Sequence, residues 1–405
     1  MMVGYGGWHA AISFGPTRRD GTAVLTADGL HSALGSGGRP AVPHPLVHNL
    51  PKALQRDRSK LRVAHFVTMT GTAGIWGPSS VNCAVLAASE INARGGVLGR
   101  ELELTIVDTG AAIEDVTRDA EDIVEFGGAD VVVGNHISAV RVSLRRTFTG
   151  HLPYIYPSIY EGGERTPDLF AIGETPPRQA RPAIAWLAER KHARRWYLIG
   201  SDYVWPWLSH REVKRYIAES GGRVVGEDFV SLGDHDHHRY IERIQALKPD
   251  VVFISLIGLD GVLFNRLFAE YGLSEKVLRL ANCIDETVLL GIGADNTTNL
   301  FTAFGYFASV KTAHNEGFLG AYRKAFGATA PVPGAVAQAN YEGLYFLEAL
   351  ARRAETLHLP DLTAHASSLV YQAGRGPVGF RRRRAEMPIY LAEADGFDFR
   401  VLERF

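Results

Sequence analysis

The chain has 405 residues, a formal net charge of −1 and two cysteines, Cys83 and Cys283. This length allows two domains with sizeable cores, and the composition is that of an ordinary globular protein, not of a disordered or collagen-like one. Two cysteines cannot form a disulfide framework or a four-cysteine metal site, and we expect both to be buried, reduced thiols. A nearly neutral chain has no general attraction for nucleic acid or an anionic membrane.

The first 60 residues differ from the rest because they are rich in Gly, Pro, His and Arg and lack hydrophobic periodicity. They predict a disordered N-terminal extension. Gly4, Gly6 and His9 interrupt the apolar start, no early Lys or Arg precedes it, and no cysteine there could carry a lipid, which is unlike a signal peptide. No apolar run in the sequence reaches the roughly 20 residues needed to span a bilayer. We therefore expect a cytoplasmic protein without a membrane span. The alternative is an exported, periplasmic or lipid-anchored protein, if translation begins at a different residue and the N-terminus carries an export signal.

From Leu61 onward, strand-like and helix-like segments alternate. This alternation predicts an α/β fold in which parallel sheets are flanked by crossover helices. Breaks in the rhythm near 169–177 and 305–310 favour two sheets over a single barrel. The predicted strands are 61–67, 101–107, 131–134, 154–156, 196–199, 223–229, 251–255 and 299–304. The predicted helices are 79–93, 113–126, 138–147, 182–190, 206–220, 237–247, 261–271, 316–326 and 336–353.

The first of these units carries the most specific pattern. The strand 61–67 is followed by a loop of small residues, 68–77, and by a helix whose apolar residues recur at helical spacing up to Ile91. Gly95 and Gly96 end the helix, because a left-handed residue after a helix costs glycine little. Gly99 makes the next turn before the alternating strand 101–107. This order of strand, loop, helix, glycine turn and strand resembles the opening unit of type I periplasmic binding proteins, in which the first loop lines a ligand cleft.

Three other motifs fit structural roles better than functional ones. Residues 374–379 spell a dinucleotide-binding fingerprint, but Pro377 and the arginines at 381–384 prevent the helix that it requires, so we predict a turn that opens a hairpin. In the Asp- and His-rich segment 234–238, we expect Asp234 or Asp236 to cap the next helix in preference to binding a metal. The arginines at 381–384 predict a solvated hairpin face, because the aromatic residues of single-strand nucleic-acid binders are missing.

Enzyme signatures are absent from the sequence, which contains no Gly-x-Ser-x-Gly elbow, Walker loop or His-Glu-x-x-His motif. We therefore expect no catalysis, no cofactor and no metal. A hydrolase or transferase on a similar α/β scaffold is the least favoured alternative.

Polar and aromatic residues cluster just after the predicted strands. In open α/β sheets the carboxyl ends of the strands form the ligand-binding edge. Serines beside helix N-termini there can hold a carbonyl or carboxylate, and aromatic rings can form walls that exclude water. Each serine could equally be a helix cap, and each aromatic residue could fill the core. The candidates in these clusters are His136, Ser138, Tyr156, Ser158, Tyr160, Tyr203, Trp205 and Asp260.

In this order the clusters resemble a branch of the type I family that includes the amide sensor-regulators of amidase operons and the urea- or short-amide-binding proteins of transporters. The resemblance implies two lobes, each a parallel sheet flanked by helices, joined by hinge crossings. It places one lobe at 61–174 plus 307–365 and the other at 175–306 plus 366–405. It also implies that Ser138, Tyr156, Ser158, Tyr203 and Trp205 contact the ligand.

The ligand class stays open at this point. An amide needs a donor and an acceptor, whereas an amino acid also needs an acid for its ammonium group. Asp285 stands near the position where the amino-acid binders of the family place that acid, Asp260 is a second candidate, and either could instead cap a helix. We therefore expect a small polar ligand: an amide, urea or an amino acid.

The function implied by the resemblance is a non-catalytic clamp that closes on its ligand. Without an export signal, the first hypothesis is a cytoplasmic sensor that controls a regulatory protein partner. The alternative is the substrate-binding receptor of an ABC-type importer of amino acids, urea or amides, which would dock on a permease. We expect no direct contact with nucleic acid, and a homo-oligomer is possible.

Overall fold

The computed structural model describes residues 57–405, and their strands form three sheets. Residues 1–56 of the predicted extension lie outside the described residues. The first strand begins at Lys60, the last residue of that predicted extension. The first sheet has five strands, which are all paired in parallel in the order β2-β1-β3-β4-β5. They are β1 Lys60–Val67, β2 Glu101–Asp108, β3 Val131–Asn135, β4 Tyr154–Tyr156 and β5 Leu169–Ala171.

The second sheet has seven strands: β6 Arg195–Ser201, β7 Arg223–Val230, β8 Val251–Ser255, β9 Leu278–Ala281, β10 Leu300–Phe304, β14 Tyr390–Asp395 and β15 Asp398–Arg404. Their order is β15-β14-β10-β9-β8-β6-β7. The strands from β6 to β10 are parallel, whereas β14 and β15 are antiparallel additions at one edge. The third sheet is a small antiparallel one made of β11 Leu369–Ala373, β12 Gly376–Arg381 and β13 Arg384–Glu386.

Helices connect the parallel strands, which confirms the predicted α/β fold with two parallel sheets. They are α1 Gly77–Ala93, α2 Ile113–Glu125, α3 Ser138–Phe148, α4 Pro176–Arg190, α5 Val204–Glu219, α6 His238–Leu247, α7 Gly258–Glu270, α8 Glu286–Ile292, α9 Ala313–Phe326, α10 Ala335–Ala354 and α11 Leu359–Ala366. Within residues 57–405, no helix combines the length and the apolarity that a bilayer crossing requires.

The first sheet is covered on both faces, as the alternation along β1 requires. Leu61 and Val63 belong to the core cluster that also contains the buried residues of α1 and α10, whereas Ala64 and Phe66 belong to the cluster with those of α2 and α3. Successive side chains of a strand point to opposite faces, and all four are buried. A parallel sheet buried on both faces leaves the edge at the strand ends as its accessible polar region.

The glycine turn after α1 forms as predicted. The N–H groups of Gly95 and Gly96 donate to Asn92 O and Ile91 O over 3.0 Å each, which closes the helix end. Gly95 has φ +94° and Gly96 has φ +71°. A Cβ on Gly96 would lie 2.0 Å from Arg100 O, whereas one on Gly95 would meet nothing within 4 Å. Both positions need glycine for their backbone angles, but Gly96 alone also needs it for space.

We expect Gly96→Ala to destabilise the chain clearly more than Gly95→Ala. Both substitutions place a Cβ on a left-handed residue, which costs about 1–2 kcal/mol, but only the first also forces the backbone at Arg100 to move. Urea denaturation of the two variants measures the difference. Equal losses of stability would show that the contact with Arg100 O relaxes without cost.

Three chain segments, here called crossings, connect the two large sheets. The first follows β5, the second follows β10 and the third precedes β14. A buried ion network joins the three crossings to one another. Arg375, in the turn between β11 and β12, donates to Glu174 Oε1 over 3.0 Å, and its Nη2 forms an ion pair with Glu342 Oε2 over 2.5 Å. Glu174 lies in the first crossing and also accepts the N–H of Gly305, in the second crossing, over 3.1 Å. The Tyr371 hydroxyl donates to the other oxygen of Glu342 over 3.0 Å. The third crossing, 387–389, leads from the small sheet into β14, and Met387 Sδ contacts Arg375 Nη1 over 2.8 Å.

We propose to keep the lobe boundaries expected from the sequence, 61–174 plus 307–365 and 175–306 plus 366–405. Helices α9 and α10 pack on α1, whereas β14 and β15 extend the second sheet, and both facts support the division. The small sheet, which this division places in the second lobe, packs through β11 on α10 of the first lobe.

Candidate functional site

A cavity lies between the two lobes, where the carboxyl ends of their strands face each other. On one side it is lined by Val67 and Asn135, the last residues of β1 and β3. On the other side Ile257 follows β8, and Phe304 ends β10. This is the edge at which open α/β sheets bind ligands.

Five of the nine predicted site residues line this cavity together. Ser138 begins α3, and Tyr203 immediately precedes α5, so both follow the end of a strand. The other four predicted residues do not line it. The five that do are His136, Ser138, Ser158, Tyr203 and Trp205.

The walls of the cavity are mostly apolar and aromatic. Trp76, Trp205 and Phe304 are each at most 5% exposed, and the Tyr203 and Trp205 rings lie 6.2 Å apart at 35°. About 60 Å³ is open to the centres of water-sized molecules, several times the 10–15 Å³ that one water needs. The cavity therefore suits a small ligand with an apolar body.

One end of the cavity is polar and presents hydrogen-bond donors. The N–H groups of Ser138, Ala139 and Val140, in the first turn of α3, have no hydrogen-bond acceptor among residues 57–405. Such free N–H groups, together with the helix dipole, favour a negatively charged or carbonyl oxygen. The Ser158 hydroxyl donates to Asn135 Oδ1, and the Asn135 amide donates to Val336 O over 2.6 Å, so this serine has a fixed orientation.

His136 does not contribute a positive charge to this end. Burial lowers its pKa to about 3, so the ring is neutral at physiological pH. Its Nε2 lies 2.8 Å from the Tyr154 hydroxyl, and its Nδ1 lies 3.1 Å from Ile137 O. The ring is therefore a neutral, hydrogen-bonded part of the wall.

Tyr156 and Tyr160 lie behind the cavity. Tyr156 is fully buried, and its hydroxyl donates to His136 O over 2.7 Å. The Arg141 guanidinium lies 5.1 Å from the centre of the Tyr156 ring and 5.4 Å from that of the Tyr160 ring, within cation–π range. Arg141 also bonds Glu161 over 2.6 Å and donates to Ser138 Oγ over 3.3 Å. These two tyrosines therefore support the residues that line the cavity.

Asp260 lies on α7, away from the cavity. Its Oδ2 accepts the N–H of Gly233 over 3.1 Å, and its buried Oδ1 has no partner in the described part of the chain. Burial raises the pKa of this carboxyl to about 6. The side chain holds the loop before α6 against α7.

Asp285 caps α8 and is fully buried. Its Oδ1 accepts the N–H groups of Thr287 and Val288 and the Trp76 indole N–H, the last over 2.8 Å. Its Oδ2 accepts the N–H of Val336 over 3.2 Å. Burial raises the pKa of this carboxyl, although the four donors act in the opposite direction. Asp285 thus positions Trp76, which does line the cavity.

Comparison with known proteins identifies the family. The family model described as periplasmic binding protein matches residues 60–398. The chain belongs to the periplasmic binding protein family. Its two lobes, each with a parallel sheet flanked by helices, are the type I, leucine-binding-protein-like arrangement that the sequence predicts. Groups of three or more His, Cys, Asp or Glu side chains that could hold a metal ion do not occur in the part of the chain that the structure describes.

Solved structures of this periplasmic binding protein fold superpose over most of the chain. A solute-binding protein of an ABC transporter from Rhodopseudomonas palustris BisB5, in complex with 3,4-dihydroxybenzoic acid, has a TM-score of 0.77 at 23% identity, with 86% of this chain and 98% of that one covered. A benzoate-bound solute-binding protein from R. palustris has a TM-score of 0.76 at 18% identity, with 85% and 96% covered. The branched-chain amino acid transporter substrate-binding protein LivJ from Streptococcus pneumoniae, with isoleucine, has 0.73 at 17%, with 85% and 98% covered.

Several cavity residues were not among the sequence candidates. Trp76 lies in the loop after β1, which the family resemblance had already placed at the ligand cleft. Asn135 and Phe304 are the last residues of β3 and β10, so the strand-end rule could have found them. No sequence pattern pointed to Glu174, because it does not follow a predicted strand and lines the cavity from the first crossing.

We expect Asp285→Asn to lower the stability of the fold by about 1–3 kcal/mol, because an amide nitrogen in place of Oδ2 leaves the buried Val336 N–H without an acceptor. Asp202→Asn is the matched control, since Asp202 also accepts an indole N–H, from Trp207 over 2.9 Å, but is exposed. Urea denaturation measures both variants. A loss in Asp285→Asn no larger than that in the control would contradict the structural role.

The raised pKa of Asp260 predicts a pH-dependent stability. In the unfolded chain this carboxyl ionises near pH 4, but in the fold it ionises near 6. The wild type should therefore lose stability relative to Asp260→Asn as the pH rises from about 4 to 6, by an amount on the order of 2–3 kcal/mol. Urea denaturation of both proteins across this range measures the difference, and a constant gap between them would contradict the prediction.

Proposed function

We propose that the chain is the solute-binding receptor of an ABC-type importer and that its ligand is a small carboxylate with an apolar or aromatic body. The observation that carries this proposal is the cavity between the lobes, which combines aromatic walls with the free N-terminus of α3. The similarity to solute-binding proteins of ABC transporters supports the importer role over the regulatory one.

The carboxylate would bind at the N-terminal turn of α3. There the free N–H groups and the Ser138 hydroxyl supply donors, and the helix dipole favours the negative charge. Because His136 is neutral, backbone donors would hold the anion in place of a charged side chain. An amide or urea could accept hydrogen bonds from the same donors. Because these ligands carry no net charge, the helix dipole would stabilise them less than it stabilises a carboxylate.

The apolar body would pack between Trp76, Tyr203 and Trp205, which come from both lobes. Aromatic rings prefer offset or edge-to-face contacts worth about 0.5–1.5 kcal/mol each beyond burial. The R. palustris proteins with the same fold bind benzoate and 3,4-dihydroxybenzoic acid, which supports an aromatic acid as the ligand.

An amino acid fits the cavity less well, because its ammonium group needs a free acid. Among the described residues Glu174 is the only carboxylate that lines the cavity, and it is already paired with Arg375 over 3.0 Å. Asp260 and Asp285 lie outside and accept backbone N–H groups. An ammonium group would therefore be desolvated without a counter-charge.

The proposed mechanism is non-catalytic closure. A ligand that contacts both lobes binds the closed form better and shifts the population towards it. In the structure the Leu259 N–H of α7 donates to Thr72 O in the first loop over 2.9 Å, a contact between the lobes that an open form would lack. The permease would recognise this closed form.

Three earlier expectations remain predictions. A cytoplasmic sensor would use the same closure to release a regulatory protein, so the clamp itself does not distinguish the two partners. An importer receptor would work outside the cytoplasmic membrane, in contrast to the cytoplasmic location expected from the sequence. A homo-oligomer is compatible with either role.

We expect benzoate to bind the purified full-length chain more tightly than isoleucine, acetamide or urea, with micromolar affinity, which corresponds to about 8 kcal/mol. Trp205→Ala should weaken benzoate binding at least tenfold, because it removes one aromatic wall. Isothermal titration calorimetry measures these affinities.

The matched control is Trp207→Ala, because Trp207 lies on the same helix but is 49% exposed and outside the cavity. Equal effects of the two tryptophan substitutions would remove Trp205 from the site. Preferential binding of acetamide or urea would overturn the carboxylate assignment in favour of the amide class.

A further inference from the structure

A second cavity lies beside the first crossing, on the side formed by the β12–β13 hairpin. It is bounded by the loop 160–165, by the crossing with the start of α4, 173–178, and by residues 381–389. About 510 Å³ is open to the centres of water-sized molecules, much more than in the interlobe cavity. The two cavities share Glu174 and no other lining residue among those described.

The carboxylates of this second cavity are all neutralised by neighbouring arginines. Glu164 lies 3.1 Å from Arg141 Nε, and Glu174 lies 3.0 Å from Arg375 Nη1. Glu386 lies 3.5 Å from Arg381 Nε. None of these acids is therefore available to balance further positive charge.

Five more arginines line the cavity without a carboxylate partner anywhere in residues 57–405. In a chain whose formal net charge is −1, this is a strong local excess of positive charge. Like charges in a concave site repel one another and raise the local concentration of anions. The five are Arg165, Arg178, Arg382, Arg383 and Arg384.

The backbone angles of the hairpin turn are unfavourable for arginine. Arg382 and Arg383 form the two-residue turn between β12 and β13 with φ of +48° and +61°. Such turns favour Asn-Gly or Gly-Gly, and a left-handed residue with a side chain costs about 1–2 kcal/mol. Strain of this kind points to a role for the side chains that are present.

Two of the five arginines are fixed in place. Arg383 donates to Thr166 O over 2.5 Å and to Leu169 O over 3.0 Å, so it ties the hairpin to the first lobe. Arg178 donates to Met387 O over 2.6 Å. The side chains of Arg382 and Arg384 are exposed and make no hydrogen bond or ion pair with the rest of the described chain. The guanidinium groups of Arg382 and Arg384 are therefore free to bind an anion.

The positive lining continues into an adjoining depression. That depression shares Gly163, Glu164 and Arg165 with the second cavity and adds Arg146 and Arg145, of which Arg145 lies 3.6 Å from Glu164 Oε2. The anion site thus has room for more than one charged group.

We propose that the second cavity binds a compact polyanion of the phosphate class, an ion or small molecule that carries two or more phosphate groups. The planar guanidinium fork matches phosphate oxygens in pairs, and several unpaired forks around one concave space suit several such oxygens. The cavity lies within the 300–1,000 Å³ range of small-molecule sites. The site is independent of the carboxylate proposed for the interlobe cavity.

The test uses inorganic tripolyphosphate and isothermal titration calorimetry at about 0.15 M salt on the full-length chain. We expect one equivalent to bind and Arg382→Gln/Arg384→Gln to weaken binding at least tenfold. The matched control is Arg211→Gln/Arg223→Gln, which removes the same charge from two exposed arginines outside the cavity and should leave the affinity unchanged. Citrate, which carries carboxylates in place of phosphates, should bind at least tenfold more weakly.

Three outcomes would overturn the proposal: no binding of tripolyphosphate, equal weakening by both double variants, or equal affinity for citrate. Trp205→Ala separates the two cavities, since it should weaken benzoate binding and leave tripolyphosphate binding unchanged. Both double variants change exposed side chains, and circular dichroism checks that they fold as the wild type does.

Discussion

The buried ion network around Arg375 is the constraint on which the two-lobed arrangement depends. One guanidinium joins Glu174 of the first crossing to Glu342 of α10, and Glu174 also holds the backbone of Gly305 in the second crossing. A buried charge is costly to desolvate, and removing one partner of such a pair costs about 3–5 kcal/mol. Apolar contacts alone would allow small displacements at this junction, whereas a network with fixed donors and acceptors would keep the crossings together during the proposed closure.

The same network sets the electrostatics of the interlobe cavity. Glu174 lines that cavity, and without Arg375 its negative charge would repel an anionic ligand. The second carboxylate, Glu342, accepts the Tyr371 hydroxyl, and burial raises the pKa of this carboxyl. The hinge and the site therefore share a residue, so a change in the ion network alters both the pivot and the charge that the ligand meets.

The features that the sequence predicts well are those set by near neighbours. The end of α1 at Gly95 and Gly96 follows from backbone angles that only glycine adopts without cost, and β1 to β4 of the first sheet lie at predicted strands, whereas β5 lies where the sequence shows a break in the rhythm. Helix α4 begins at Pro176, six residues before the predicted start at Pro182. The prediction placed the start at Pro182 because proline is usually tolerated only in the first turn of a helix, whereas here it lies in the interior. A turn that opens a hairpin at 374–379 was predicted, and β11 and β12 meet there, but the ion pair of Arg375 was not predicted, since Glu174 lies 201 residues away in sequence.

The strand-end rule located the candidate site but could not sort its residues. A polar side chain after a strand can face the ligand, hold the next helix, or fix a neighbouring loop, and the sequence pattern is the same in all three cases. Ser138 faces the cavity, Asp285 caps α8 and orients Trp76, and Asp260 holds Gly233. The choice between these roles depends on which backbone N–H groups lie opposite each side chain. Those N–H groups belong to segments far away in the chain, so the distinction appears only once both lobes are packed together.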